Sequence, residues 1–85
     1  MTLDEITAAI IKALTTVAPE TNPASIQPGV SLRDQLDLDS VDFLNFVVAL
    51  HGLVGVTVPE AEYGKLATLE SAGVYLQSKL TALQK

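Results

Sequence analysis

The run Leu36-Asp37-Leu38-Asp39-Ser40-Val41-Asp42-Phe43 holds the residues best placed to do chemistry. It sets one serine at the start of an apolar helical segment, directly after a loop rich in proline and aspartate. A side chain there is exposed and held still, and the first turn of a helix favours a bound anion. A serine hydroxyl is a poor nucleophile unless a base removes its proton, and nothing in this run supplies a dedicated base. Asp39 and Asp42 are close in sequence but need not point at the hydroxyl. His51, the single histidine, lies eleven residues on. Along one helix that is about 16 Å, far beyond hydrogen-bond reach. A G-x-S-x-G elbow is also lacking. A self-contained Ser-His-Asp hydrolase is therefore disfavoured, and no catalytic residue is assigned. His51 reads instead as a partly solvated helix-end side chain. The other chemistry open to Ser40 is to be acted upon, with an external enzyme supplying base, metal and donor. Ser40, the helix start and the Asp39 carboxylate would then form a recognition site for a phosphate-linked group. The plainer alternative is that Asp-Ser only caps a helix.

The elements that must position this serine are helical. Thr2-Leu3-Asp4-Glu5 reads as a capping box. Ile6, Ile10, Leu14 and Val17 follow at helical spacing with Ala9 and Ala13 beside them, which predicts a helix over 3–17 that Pro19 ends. Residues 18–39 form a long connection in which Pro19, Asn22, Pro23, Pro28 and Gly29 forbid a continuous helix or central strand. Ile26, Val30, Leu32, Leu36 and Leu38 can pin it to a core, so it is expected to be ordered. Ser31 can start a single helical turn.

A second helix is expected over 40–51, with Asp39 as N-cap, Asp42 in the first turn and Gly52 at C′. Val41, Leu44, Val47, Val48 and Phe46 are its candidate core face. Pro59 fits the start of a short helix over 60–63 that Gly64 ends. Thr68 caps a last helix whose stripe is Leu69, Leu76, Leu80 and Leu83, with Ala72 and Gly73 between. Val56-Thr57-Val58 is strand-like but short and without a partner. The fold class is all-α: a small four-helix bundle of three longer helices and one short one, with a long ordered loop between helices one and two.

Composition narrows the partners. Eighty-five residues make one small domain, 1–85, just above the ~80 residues at which cores become marginal. Without cysteine there is no disulfide or thiolate metal site, and one histidine builds no histidine cluster, so no metal site is assigned. The net charge is −5 and the five basic residues are scattered, which argues against nucleic acid. The acidity suits a basic partner protein or simply solubility. The apolar run 43–58 spans about 16 residues, short of the ~20 a membrane span needs, and it holds Asn45, His51, Gly52 and Gly55. Nothing at the N-terminus reads as a signal peptide, so a cytoplasmic monomer is expected.

Together these landmarks resemble the acyl carrier protein family. The family has an L-G-x-D-S-L type motif after a long loop, an apolar second helix, an I-P segment, a short third helix and a T-V type start to the fourth. Here the motif is Leu36-Asp37-Leu38-Asp39-Ser40-Val41, and Val58-Pro59 and Ala67-Thr68-Leu69 follow in order. The resemblance implies that 4′-phosphopantetheine from coenzyme A is joined to Ser40 by a phosphopantetheinyl transferase using Mg²⁺. It implies that Asp39 serves transferase recognition or metal binding. It implies that acyl, polyketide or aminoacyl cargo rides on the arm as a thioester, supplied and used by ligase and synthase partners. Leu44, Val48, Leu66, Leu69 and Leu76 are candidates to shelter an alkyl chain, or simply to pack the core.

The chain departs from the family pattern in three places. Asp37 stands where glycine is usual, which would alter the turn, since aspartate tolerates positive φ less easily. Val41 replaces leucine. The second helix carries only Asp42, with Asn45, His51 and Gly52 at positions that are often acidic and Phe43 and Phe46 adding apolar bulk. Such a helix steers partners poorly by charge. This points to a dedicated polyketide, nonribosomal, lipid-modifying or aminoacyl system rather than housekeeping fatty acid biosynthesis. The rival class is an unmodified helical interaction or dimerisation domain that docks through the second helix.

Overall fold

A computed structural model describes residues 2–83, with the Leu83 side chain, one member of the expected last stripe, outside the described residues. Three helices of 15 residues frame the chain: α1 (Leu3–Val17), α3 (Ser40–Val54) and α4 (Leu69–Leu83). Between α1 and α3 lie a 3₁₀ turn (Pro23–Ser25) and α2, one turn over Leu32–Gln35. A 3₁₀ segment, Glu60–Leu66, joins α3 to α4, and no strand forms among the described residues. This is the small all-α bundle that the periodicity requires.

α1 starts at its capping box, where Glu5 N–H donates to Thr2 Oγ1 and Thr2 N–H to Glu5 Oε1. Ile6, Ile10, Ala13 and Leu14 are buried, and the helix packs against both α3 and α4. α1 ends at Val17 as expected: Ala18 is its cap, with N–H held by Leu14 O, and Pro19 follows directly. α4 opens at Thr68, whose Oγ1 accepts from Ser71 N–H, and Ala72, Gly73, Tyr75 and Leu76 are buried along it. Leu69 and Leu80 are only partly buried.

The long connection is ordered by hydrogen bonds that cross it. The Gln35 side chain bridges Gln27 N–H, Gln27 O and Val30 O. Leu32 N–H donates to Ala67 O at 2.7 Å and Glu70 N–H to Pro28 O at 3.1 Å, so the loop is stitched to the start of α4. Ile26, Leu32 and Leu38 are its buried pins and Leu36 is half-buried, whereas Val30 is exposed.

Two expectations for the second helix are corrected. It runs to Val54 rather than His51, and Gly55 at φ +73°, not Gly52, is the left-handed cap. Leu53 and Val54 continue the helix because burying Val54 holds one more turn, and only Gly55 meets the positive-φ requirement that favours glycine. The core face keeps the expected Phe46 and Val47 but is otherwise different. Phe43, Phe46, Val47, Leu50 and Val54 are buried, while Val41 (66% exposed), Leu44 (49%) and Val48 (63%) face outward. Two apolar stripes offset by one residue share this helix, and the one carrying both phenylalanines buries more area. Phe43 and Phe46 are therefore core residues, their ring centroids 5.6 Å apart.

The connecting 3₁₀ segment likewise passes through Gly64 to reach buried Leu66 rather than stopping at Tyr63. It is tied to α4 by Tyr75, whose hydroxyl donates to Glu62 Oε1, with Lys79 at 3.6 Å from the same oxygen. Burial and the Glu62 bond push the Tyr75 phenol up to about 12. The Tyr75 hydrogen bond holds the Glu62 carboxyl below its ordinary range.

The rotation of α3 is directly measurable. Phe46→Ala is expected to cost about 3–5 kcal/mol, and Val48→Ala no more than about 0.5 kcal/mol. Urea unfolding of the two variants checks this; equal losses would mean that the helix is turned differently.

Candidate functional site

Ser40 is the first residue of α3 and is exposed. Two local devices place it. The first is the end of α2, where Leu38 N–H reaches back to Arg33 O at 2.9 Å and Leu36 N–H to Leu32 O at 3.1 Å. The 2.9 Å bond joins the C″ residue to C3, the Schellman pattern, which needs a left-handed residue between them. Asp37 is that residue, with φ +54°. The sequence expectation that aspartate alters this turn is thus corrected: the chain keeps a glycine-like backbone and accepts some strain, because aspartate is among the side chains that visit this region most readily.

The second device is a reciprocal cap. Asp42 N–H donates to Asp39 Oδ1 at 2.8 Å, and Asp39 N–H to Asp42 Oδ2 at 3.3 Å. Asp39 is the N-cap, as its place in the sequence predicts, and its Oδ2 has no partner among the described residues. The Ser40 hydroxyl makes no hydrogen bond among them either, so it is available to a partner rather than spent on the cap. Cap and presented hydroxyl are thus divided between adjacent residues.

Ser40 opens onto a groove of about 310 Å³ that Arg33, Phe43, Leu44, Glu60 and Tyr63 also line. Phe43 lies three residues after Ser40 and so shares its side of the helix. Its ring meets Tyr63 edge-on at 6.1 Å and lies 5.8 Å from the Arg33 guanidinium carbon. Sequence reasoning missed Arg33 and Tyr63 as groove residues. Arg33 is the chain's sole arginine, and it sits in the turn just before the motif, which was the available signal.

His51 is not brought to Ser40. α3 is unbroken between them, and His51 Nδ1 lies 3.0 Å from Val56 O at the far end. Of the candidates for sheltering a chain, Leu66 and Leu76 are fully buried core, Leu69 is half-buried, and Leu44 and Val48 are exposed. Leu44 lines the groove beside Ser40, so the exposed hydroxyl has an apolar neighbour.

Comparison with known proteins gives one consistent result. The chain is 31% identical over 71 residues to an acyl carrier protein of Treponema pallidum, spanning 84% of this chain and 91% of that one. It is 32% identical over 71 residues to an acyl carrier protein of Renibacterium salmoninarum, spanning 84% and 83%. A third, from Thermosynechococcus vestitus, is 28% identical over 72 residues, spanning 85% and 89%. No family model matches the chain.

The strained turn gives a test of its own. Asp37→Gly should raise stability by about 0.5–1 kcal/mol, and Asp37→Val should lower it by about 1–2 kcal/mol, because a β-branched side chain resists positive φ. Chemical unfolding of both variants decides it, and a destabilised Asp37→Gly would show that the aspartate side chain contributes more than its backbone strain costs.

Proposed function

Because the chain belongs to the acyl carrier protein family, we propose that Ser40 is the point at which a 4′-phosphopantetheine arm is attached. The observation that carries this reading is a hydroxyl without a hydrogen-bond partner among the described residues, exposed at the first position of a capped 15-residue helix. The surroundings fit the group. The helix N-terminus favours a phosphate, and the adjoining groove has an arginine and two aromatic rings on its wall. When bound, the arm supplies a thiol, absent from a chain without cysteine, on which cargo is held as a thioester.

The chain's own residues then have separate tasks. Ser40 provides the oxygen. Asp39 fixes the helix start through Oδ1 and leaves Oδ2 for the transferase or its Mg²⁺. Asp42 closes the cap from the other side. Residues 1–85 act as one carrier domain, a cytoplasmic monomer and not an enzyme, that shuttles acyl, polyketide or aminoacyl groups between a loading ligase and a synthase.

The outward face of α3 supports a dedicated pathway. Val41, Leu44 and Val48 are exposed beside Ser40, and from Phe43 to Val54 the helix has no carboxylate or lysine or arginine. A partner for this face is matched by apolar contact rather than by a basic patch. The bulk anticipated from Phe43 and Phe46 is not part of it, since both are buried.

Intact mass after incubation with coenzyme A, Mg²⁺ and a broad-specificity phosphopantetheinyl transferase tests the attachment. Wild type should gain one arm and Ser40→Ala none, while both unfold alike because Asp39 is the cap. A folded wild type that stays unloaded with several transferases would favour the unmodified interaction domain instead.

For the docking face, the rate of loading by the transferase should change no more than about threefold between low and physiological salt. Leu44→Ala should lower it about fivefold or more, which corresponds to a contact worth over ~1 kcal/mol. A steep salt dependence would instead indicate charge-steered docking.

A further inference from the structure

We infer that Arg33 is a positioning residue for the phosphodiester formed at Ser40, holding the root of the attached arm in the groove beside Phe43. The inference rests on Ser40 being the attachment point and goes beyond it by naming what receives the phosphate. Arg33 is fixed from both sides of the serine. Its Nε donates to Leu38 O at 3.4 Å, two residues before Ser40, and its guanidinium carbon lies 5.8 Å from the ring of Phe43, three residues after. The same side chain lines the groove onto which Ser40 opens. Guanidinium is always charged and presents several donors in a plane, so one N–H can stay on a carbonyl while the others face a phosphate.

The charge around the serine makes the role specific. Asp37, Asp39 and Asp42 flank it in sequence, and Glu60 lines its groove. A phosphodiester adds a further negative charge to this set. Arg33 is the one basic residue lining the groove, and among the described residues it has no carboxylate within 4.0 Å, although Glu60 shares the groove with it. The two ion pairs among the described residues, Lys65 and Lys79 with Glu62, lie on the connecting segment and α4. An arginine held by a carbonyl and a ring, in an acidic neighbourhood, without an acid bound to it, has its outer donors available for an anion.

A continuation of the groove gives the arm a direction. Arg33, Phe43 and Tyr63 also line an adjoining space of about 220 Å³ that extends to Ser31, Gly64 and Ala67. A diester anchored at Arg33 would lead the arm along the Phe43 and Tyr63 rings rather than into solvent.

The test uses loaded protein. Wild type, Arg33→Lys and Arg33→Gln are treated with coenzyme A, Mg²⁺ and transferase, and intact mass confirms one arm on each. Ser40→Ala treated identically is the unloaded control. Two signals are then followed: the Arg33 Nε–H cross-peak before and after loading, and the ³¹P shift of the diester at low and high salt. The Arg33 cross-peak should move on loading in wild type and stay fixed in Ser40→Ala. The wild-type ³¹P signal should move with added salt toward that of Arg33→Gln, with Arg33→Lys between. The docked fraction should fall about two- to fivefold when the charge is removed, the range of a solvent-exposed ion pair. A purely structural arginine would not respond to loading in the unmutated protein.

If every protein loads but the Arg33 cross-peak does not move and the ³¹P signal is the same in wild type and Arg33→Gln, the inference is overturned and the attachment stands. If no protein gains mass at Ser40, the attachment itself is wrong and the inference falls with it.

Discussion

The rotation of α3 about its own axis is the constraint on which the rest of the molecule depends. Burial of Phe46 and Phe43 sets that rotation, because these two rings bury the most area of any side chains on the helix. Once they face α1 and the connecting segments, everything else on α3 has its place. Val47, Leu50 and Val54 follow them inward at helical spacing, and Val41, Leu44 and Val48 are left outside. Ser40, three residues before Phe43, is brought above the groove that Phe43 walls.

The start of α3 solves a different problem, which is how to expose a side chain without letting it move. A helix N-terminus has backbone N–H groups in need of acceptors, and the neighbouring serine could have been used as one. Here Asp39 and Asp42 satisfy each other's backbone N–H groups, so Ser40 is spared. The chain reaches this geometry by closing α2 with a left-handed Asp37, whose strain is offset by the Leu38 to Arg33 hydrogen bond and by burial of Leu38. Backbone strain next to a presented side chain is a cost that a purely structural turn has little reason to keep, and it lies two residues before the cap.

Charge is distributed unevenly over this small acidic domain. Carboxylates cluster around the serine in sequence, an arginine lines the groove beside it, and the length of α3 beyond the first turn carries only His51 as a titratable group. The surface near Ser40 is therefore polar, and the surface further along the helix is apolar. A family member with this division presents a polar helix start around the exposed serine and an apolar continuation directly beside it. The fit of an apolar face is decided by shape and is less open to unrelated basic partners.

Much of this was legible in the chain itself. The bounds of α1, the Thr2, Asp39 and Thr68 caps and the one-turn α2 after Ser31 all follow from local rules, because caps and turns are decided by a few adjacent residues. The candidate serine was visible for the same reason: motif and cap are contiguous. What local rules could not decide was the direction in which α3 faces. A helix with apolar residues on nearly every side offers two interleaved stripes, and periodicity alone does not choose between them. Only packing against α1 chose the phenylalanine stripe, and with it the outward valines and leucine. Packing also extended α3 to Val54 by burying that residue, and brought Tyr63, distant in sequence, to the groove that Arg33 and Ser40 share. Sequence determined where each helix begins and which residue is offered there; tertiary structure decided which face each helix shows, because burial energy is summed over neighbours that the local chain does not contain.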